Sequence, residues 1–214
     1  MSNNVKVLCG AVMMVAMVGT AGTRAEAAIM VEEGLVGGSG DVDNVLFNTC
    51  VGATGMGTTV QGCLNTDTSY LINFTSDETL IASGGQATIT AADGDGFSYL
   101  KIEPDAGTMY KLQLNIDAST DGEIFFAGYA GPSIFLSGSG SNFFTITPGI
   151  GEDEFAFVSF TTTTDIVAEV RQVRLGVSDG TGTDPDPIPE PTSLVLFGLG
   201  MLGAGVAGRR IRRR

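Results

Sequence analysis

Two aspartates on a glycine turn are the side chains in this sequence best suited to bind a cation. In Asp93-Gly94-Asp95-Gly96, carboxylates and glycines alternate on a short loop, and hard oxygen ligands of this kind suit Ca²⁺. An EF-hand loop does not fit, because a frame with Asp93 and Asp95 at its third and fifth positions has Ile102 at its twelfth. Asp-Gly pairs also form turns that need no metal. The sequence therefore predicts either a Ca²⁺ site at Asp93 and Asp95 or a metal-free turn, and no other cofactor. Weaker candidates for the same chemistry are Asp41 with Asp43 and Asp77 with Glu78.

A second acidic cluster, Glu152-Asp153-Glu154, has the residue type that hydrolyses glycosidic bonds. Glycoside hydrolases use two carboxyl groups across the sugar, whereas three adjacent acids before an apolar strand are more typical of a solvated turn. The chain contains no histidine, which excludes Ser-His-Asp and Cys-His catalysis and histidine-containing zinc sites. We therefore expect that the protein is not an enzyme, and a secreted hydrolase is the least favoured alternative.

The elements that must position these acids are short β-strands. Segments rich in β-branched and aromatic residues alternate with Gly, Asp, Ser and Pro turns between residues 44 and 176. They predict strands near 44–48, 69–74, 79–82, 86–91, 97–103, 109–117, 123–130, 133–137, 142–147, 154–161 and 166–176. Apolar and polar residues alternate in 110–117, which predicts one buried and one wet face. Residues 28–43 are read as a loose lead-in.

This pattern predicts an all-β domain over residues 44–176, an antiparallel β-sandwich of jelly-roll type, with a closed barrel as the alternative. A signal helix and a short C-terminal transmembrane helix are expected to flank it. The residues expected in its core are Phe74, Ile89, Phe97, Leu100, Leu112, Leu114, Ile116, Phe125, Phe135, Phe144, Phe157, Phe160, Val170 and Leu175.

Residues 1–27 have the three parts of a secretory signal peptide. Lys6 supplies the basic start, 7–22 is an uncharged run rich in Val, Met and Ala, and Ala25-Glu26-Ala27 fits the small-residue cleavage pattern. Cleavage is therefore expected between Ala27 and Ala28.

The C-terminal segment 189–214 also has three parts. Pro189-Glu190-Pro191 precedes an apolar, glycine-rich run over 193–208, which is slightly short for a membrane helix of about 20 residues. The chain then ends in a cluster of five arginines, Arg209, Arg210, Arg212, Arg213 and Arg214. Positive charge beside a membrane helix stays in the cytoplasm, so this segment places 28–190 outside, in agreement with the signal peptide. Residues 177–188, rich in Asp, Pro, Gly and Thr, are expected to form a semi-extended linker.

The tripartite C-terminus resembles the PEP-CTERM sorting signal of exported Gram-negative proteins. The resemblance implies recognition by exosortase, a membrane-embedded cysteine-dependent protease, and cleavage near Pro189-Glu190-Pro191. It also implies passage through the general secretion machinery, a transient stay in the inner membrane facing the periplasm, and delivery to the cell surface or the exopolysaccharide matrix. From topology alone, a single-span anchor that is never cleaved is the alternative.

The exported span is strongly acidic. Seven of the 11 basic residues and one of the 24 acidic residues lie outside 28–190, which leaves 4 basic and 23 acidic residues and a net charge of −19. Nucleic acid and anionic lipid are poor partners for such a surface. Two of its basic residues, Arg171 and Arg174, are three apart on a predicted strand, so we expect them on opposite faces, with one of them paired to carboxylates.

Two cysteines, Cys50 and Cys63, remain once the signal peptide is removed. Outside the cytoplasm an even pair indicates a disulfide. The residues between them have little apolar bulk, so a covalent link would stabilise a segment that cannot pack well on its own. The sequence as a whole favours a structural or adhesive surface protein, with extracellular polysaccharide as its expected partner. The alternative is a Ca²⁺-dependent glycan-binding module.

Overall fold

Residues 28–37, 41–84 and 88–178 are described by a computed structural model, in which they form twelve β-strands and no helix. The strands are β1 (Ile29–Glu33), β2 (Asp43–Leu46), β3 (Met56–Leu64), β4 (Leu71–Ser83), β5 (Thr88–Ala91), β6 (Tyr99–Pro104), β7 (Thr108–Ala118), β8 (Gly122–Phe126), β9 (Ile134–Leu136), β10 (Ser141–Pro148), β11 (Val158–Thr162) and β12 (Val167–Ser178). All pairings between these strands are antiparallel. The predicted all-β, antiparallel class is confirmed.

The predicted signal peptide 1–27 and sorting segment 189–214 lie outside the described residues, as does the linker beyond Ser178. Within the described ranges, no helix is long and apolar enough to cross a membrane.

The strands form one sheet in the order β1-β10-β7-β12-β2-β3-β4-β6-β11-β8-β9, with β5 between β12 and β4. We call β1, β10, β7 and β12 the first half, and β3, β4, β6, β11, β8 and β9 the second half. The rings of Phe126 on β8 and Phe144 on β10 meet edge to face with centroids 5.3 Å apart. Because these strands belong to different halves, the sheet folds over on itself, and both halves contribute to one hydrophobic core.

Two strands were absent from the sequence prediction. β1 lies in the expected lead-in, where Ile29 and Val31 are buried and the strand pairs with β10. β3 begins in the glycine-rich segment between the cysteines and ends just past Cys63. Val60, Cys63 and Leu64 are buried there, and β2 and β4 supply hydrogen-bonding partners on both sides. In both strands, buried side chains and backbone pairing outweigh weak local propensity.

The predicted core is confirmed at all but three of its positions. Phe125 and Phe135 are 43% and 61% exposed, because the inward residues of β8 and β9 are their neighbours Ile124, Phe126, Ile134 and Leu136. Phe157 is half-buried, and Phe155, two residues earlier, takes the core position and pairs with Met109.

The prediction that one face of β7 is exposed to solvent is wrong. Gln113 and Asn115 are each 1% exposed, and residues 34–37 and Asp41, which we call the N-terminal strap, cross the outer face of the first half over Gln113 and Lys111. Gln113 Nε2 donates to the Val36 carbonyl at 3.1 Å, and Lys111 Nζ lies 3.1 Å from Asp41 Oδ2. The strap also lies over β10, where Thr145 Oγ1 donates to the Gly34 carbonyl at 2.8 Å.

The predicted opposite orientation of Arg171 and Arg174 is also wrong. In the register Arg171 faces Asn115 and Arg174 faces Gln113, so β12 carries one extra residue relative to β7. This β-bulge contains Gln172 at a φ of 55°, and it turns both arginines to the outer face. The expected ion pair is present, since Arg171 Nη2 lies 2.5 Å from Asp117 Oδ2.

The two ends of the described domain lie at the same end of the sheet. Ile29 at the start of β1 faces Pro148, and Ile146, two residues before Pro148, faces Leu112. On the next strand pair, Thr108 faces Ser178 at the end of β12. Three strand spacings separate β1 from β12 in this order, or roughly 14 Å.

Candidate functional site

Asp93 and Asp95 lie in the 92–98 loop between β5 and β6. Both strands pair with β4 on the same side, Ala91 facing Leu80 and Lys101 facing Thr75, so the loop interrupts one line of pairing and is not a hairpin tip. The two aspartates are exposed, and Asp93 Oδ1 accepts a hydrogen bond from the Asp95 amide at 3.1 Å. In the described ranges no three His, Cys, Asp or Glu side chains converge as a metal site would need. Ca²⁺ binding at this loop stays a prediction.

The glycines of this loop have distinct surroundings. Gly94 and Gly96 have φ values of +83° and +91°, in the left-handed region that favours glycine. A Cβ at Gly94 would meet nothing within 4 Å, whereas one at Gly96 would lie 2.6 Å from the Asp165 carbonyl oxygen and 2.9 Å from that of Val167. Gly96 thus permits close approach of the loop to the start of β12.

The weaker pairs of acids have protein partners or lie in strands. Asp41 pairs with Lys111, and Asp43 begins β2. Asp77 and Glu78 lie within β4, where Asp77 Oδ1 accepts from Ser76 Oγ at 3.2 Å.

The glutamates considered for hydrolysis lie on separate elements. Glu103 on β6 pairs with Lys101 at 2.5 Å, and Glu123 lies on β8 opposite Phe135. Glu152 is exposed in the loop after β10, and Glu154 accepts a hydrogen bond from Thr108 Oγ1 at the start of β7.

The surroundings of Glu154 shift the pKa of its carboxyl group. Hydrogen bonds from Ser178 and then Thr108 hold the pKa of Glu154 below its ordinary value. The carboxylate thereby links the loop before β11 to the end of β12 and the start of β7.

We expect a Glu154→Gln substitution to lower the urea midpoint of unfolding near neutral pH but not in acid. A depressed folded-state pKa contributes stability above the unfolded-state pKa, and this contribution is lost as the pH falls through the folded-state value. Urea unfolding at about pH 6 and about pH 3 measures the effect, with the exposed neighbour Glu152→Gln as the matched control. An equal loss at both pH values would contradict this role for the charged form.

The predicted disulfide is confirmed. Cys50 and Cys63 are bonded, with their Cα atoms 5.4 Å apart, and Cys63 lies on β3.

The feature that sequence reasoning missed is a row of aromatic side chains outside the core. Phe125 faces Thr161, which faces Tyr99, and Phe135 faces Glu123 beside them. Phe157 lies just before β11, with Lys101 Nζ 4.7 Å from its ring centroid. We call this surface, with the polar residues between the rings, the aromatic face. Strict alternation around the buried Ile124 and Phe126 was the signal that could have placed Phe125 outside.

Comparison with known proteins identifies one feature. The family model of the PEP-CTERM protein-sorting motif matches residues 187–214. No curated protein and no solved structure matches the chain. The chain therefore carries a PEP-CTERM sorting signal, which implies an exported protein that is sorted at the membrane of a Gram-negative bacterium with exosortase as the processing partner.

Proposed function

We propose that this chain is a non-enzymatic protein of the cell surface or the extracellular polysaccharide matrix, where its β domain has a structural or adhesive role. The observation that carries the proposal is the sorting motif at 187–214, which lies C-terminal to a folded all-β domain. In this scheme signal peptidase cuts before Ala28, the apolar run 193–208 retains the protein in the inner membrane, and exosortase cuts near Pro189-Glu190-Pro191.

Two properties of the domain suit this destination. The Cys50–Cys63 disulfide is of the kind that persists in oxidising compartments outside the cytoplasm. The net charge of −19 over residues 28–190 favours solubility and keeps the domain away from anionic membrane surfaces.

The absence of enzymatic activity is part of the proposal. The chain has no histidine, and the described glutamates considered for hydrolysis are distributed over β6, β8 and the loop after β10. That distribution does not offer the facing carboxyl pair that glycoside hydrolysis requires.

We expect deletion of residues 189–214 to abolish display at the cell surface while leaving the domain folded and the signal peptide removed. The deletion removes both the protease motif and the retaining segment, so the protein should appear in the soluble periplasmic fraction or the medium. Cell fractionation with immunoblotting measures this outcome.

A triple Pro189→Ala, Glu190→Ala, Pro191→Ala variant is the matched control, because it keeps the apolar run and the arginines. We expect it to accumulate in the inner membrane at the uncut length. Unchanged surface display of the deletion variant or of the triple variant would overturn the proposal, and wild-type protein found in the inner membrane at the uncut length would favour a permanent anchor.

A further inference from the structure

The two outer faces of the sheet differ in whether another segment covers them. The N-terminal strap crosses the first half, whereas the described residues of the aromatic face remain accessible. Phe125 and Phe135 are the most accessible rings, and Tyr99 and Phe157 are half-buried. Exposed aromatic groups collected on one face of a protein mark an interaction site more often than scattered ones do.

Hydrogen-bonding side chains flank the rings on the same face. On the neighbouring strands of the same face, Thr59 and Thr75 face each other with their hydroxyl oxygens 3.0 Å apart. One step along, Gln61 Nε2 donates to Asn73 Oδ1 at 2.9 Å, and Glu103 follows on β6. The aromatic face therefore offers flat rings at one side and a band of amides and hydroxyls at the other.

The spacing of the rings fits an extended ligand. Tyr99 and Phe125 lie on β6 and β8, with β11 between them, so two strand spacings separate their positions, or roughly 10 Å. A ligand that touches both rings must cross at least three strands. A single small molecule would contact one ring and its polar neighbours only.

The charge of this surface disfavours an anionic partner. Its cation Lys101 is neutralised by an ion pair with Glu103, and the surface also carries the acids Glu123 on β8, Asp105 beside Asn73, and the exposed Asp77 on β4. This acidic face belongs to a span with a net charge of −19, which repels a second copy of the chain as well as anionic polymers. A continuous apolar patch would suit lipid, but here the polar side chain of Thr161 lies between Tyr99 and Phe125.

We propose that the aromatic face binds an uncharged polysaccharide lying across β6, β11 and β8, an inference that rests on the proposed matrix function and identifies its ligand class. Sugar C–H groups carry partial positive charge and pack on the negative face of aromatic rings, so Phe125, Tyr99 and Phe135 hold the apolar faces of the sugars. Thr161, between the rings, exchanges hydrogen bonds with the sugar hydroxyls, and a chain long enough to continue over β4 and β3 would also reach the amides of Asn73 and Gln61. Ca²⁺ has no part in this binding mode.

The test is affinity electrophoresis of the full-length protein, purified in detergent, through native gels that contain hydroxyethyl cellulose, galactomannan or dextran. Alginate serves as the polyanionic comparison. We expect retardation by at least one of the neutral polymers and none by alginate. A Phe125→Ala, Phe135→Ala double variant should raise the apparent dissociation constant at least about tenfold. Both side chains are exposed, so the fold should persist, and circular dichroism checks it.

An Ile150→Ala variant is the matched control, because it removes an apolar side chain that is 98% exposed in the loop after β10, away from the aromatic face. It should be retarded as the wild type is. The inference is overturned if no neutral polymer retards the protein, if the double variant is retarded normally, or if EDTA abolishes retardation, which would point to the 92–98 loop. It is also overturned if sedimentation shows a dimer that the double variant dissociates. None of these results alters the location of the protein, which the tail deletion tests separately.

Discussion

A Cys50→Ser, Cys63→Ser double variant is expected to unfold with a free energy about 3 kcal/mol lower than that of the wild type. The bond closes a loop with a sequence separation of 13, which restricts the unfolded chain. Much of that loop becomes β3, the strand that joins β2 to β4, and it contributes only Val60 and Leu64 to the core besides Cys63 itself. For a domain of this size the expected loss corresponds to a fall in Tm of roughly 6–12 °C.

Urea unfolding of the wild type and the double variant, each with and without dithiothreitol, measures the effect. The reductant should bring the wild type to the stability of the variant and leave the variant unchanged, which separates the bond from the substituted side chains. A difference below about 0.5 kcal/mol would show that β3 is held by its pairing alone.

Gly96→Ala is expected to destabilise the domain by roughly 2–5 kcal/mol, and Gly94→Ala by only about 1–2 kcal/mol. Both residues have a positive φ, so both substitutions carry the same left-handed strain. At Gly96 the new methyl group would also meet the carbonyl oxygens of Asp165 and Val167. Val167 cannot move aside cheaply, because it exchanges two backbone hydrogen bonds with Phe97, of 3.1 and 3.2 Å.

The difference between the two variants isolates the contact between the loop and β12. Thermal or urea unfolding of both proteins measures it, and neither substitution removes a carboxylate from the loop. Equal destabilisation would contradict a packing role for Gly96 and leave only its backbone conformation as the reason for glycine there.

The sequence predicts the all-β class and most of the core, because alternating apolar and polar residues and frequent β-branched residues indicate strands with a buried face. It could not predict the cover over Gln113, since that depends on a strap more than 70 residues away along the chain. Phe125 and Phe135 were expected in the core on hydrophobicity alone, yet the buried Ile124 and Ile134 fix the opposite orientation.

The arginines illustrate a different limit. A separation of three places Arg171 and Arg174 on opposite faces of a regular strand, but a single residue with positive φ between them reverses the second one. The bulge cannot be predicted from the residues around it in the sequence. The aromatic face was missed for a related reason, because its rings come from β6, β8, β9 and the segment before β11, which only the strand order brings together.

The position of the two ends of the described domain determines how the domain carries a pulling force. The start of β1 and the end of β12 lie at one end of the sheet, so a pull directed away from that end through the chain after Ser178 acts along the axis of β12. Because β12 is flanked by β7 on one side and by β2 and β5 on the other, the load falls on many hydrogen bonds at once and does not peel them apart one by one. A domain tethered by this strand is loaded in shear, the direction in which a sheet resists force best.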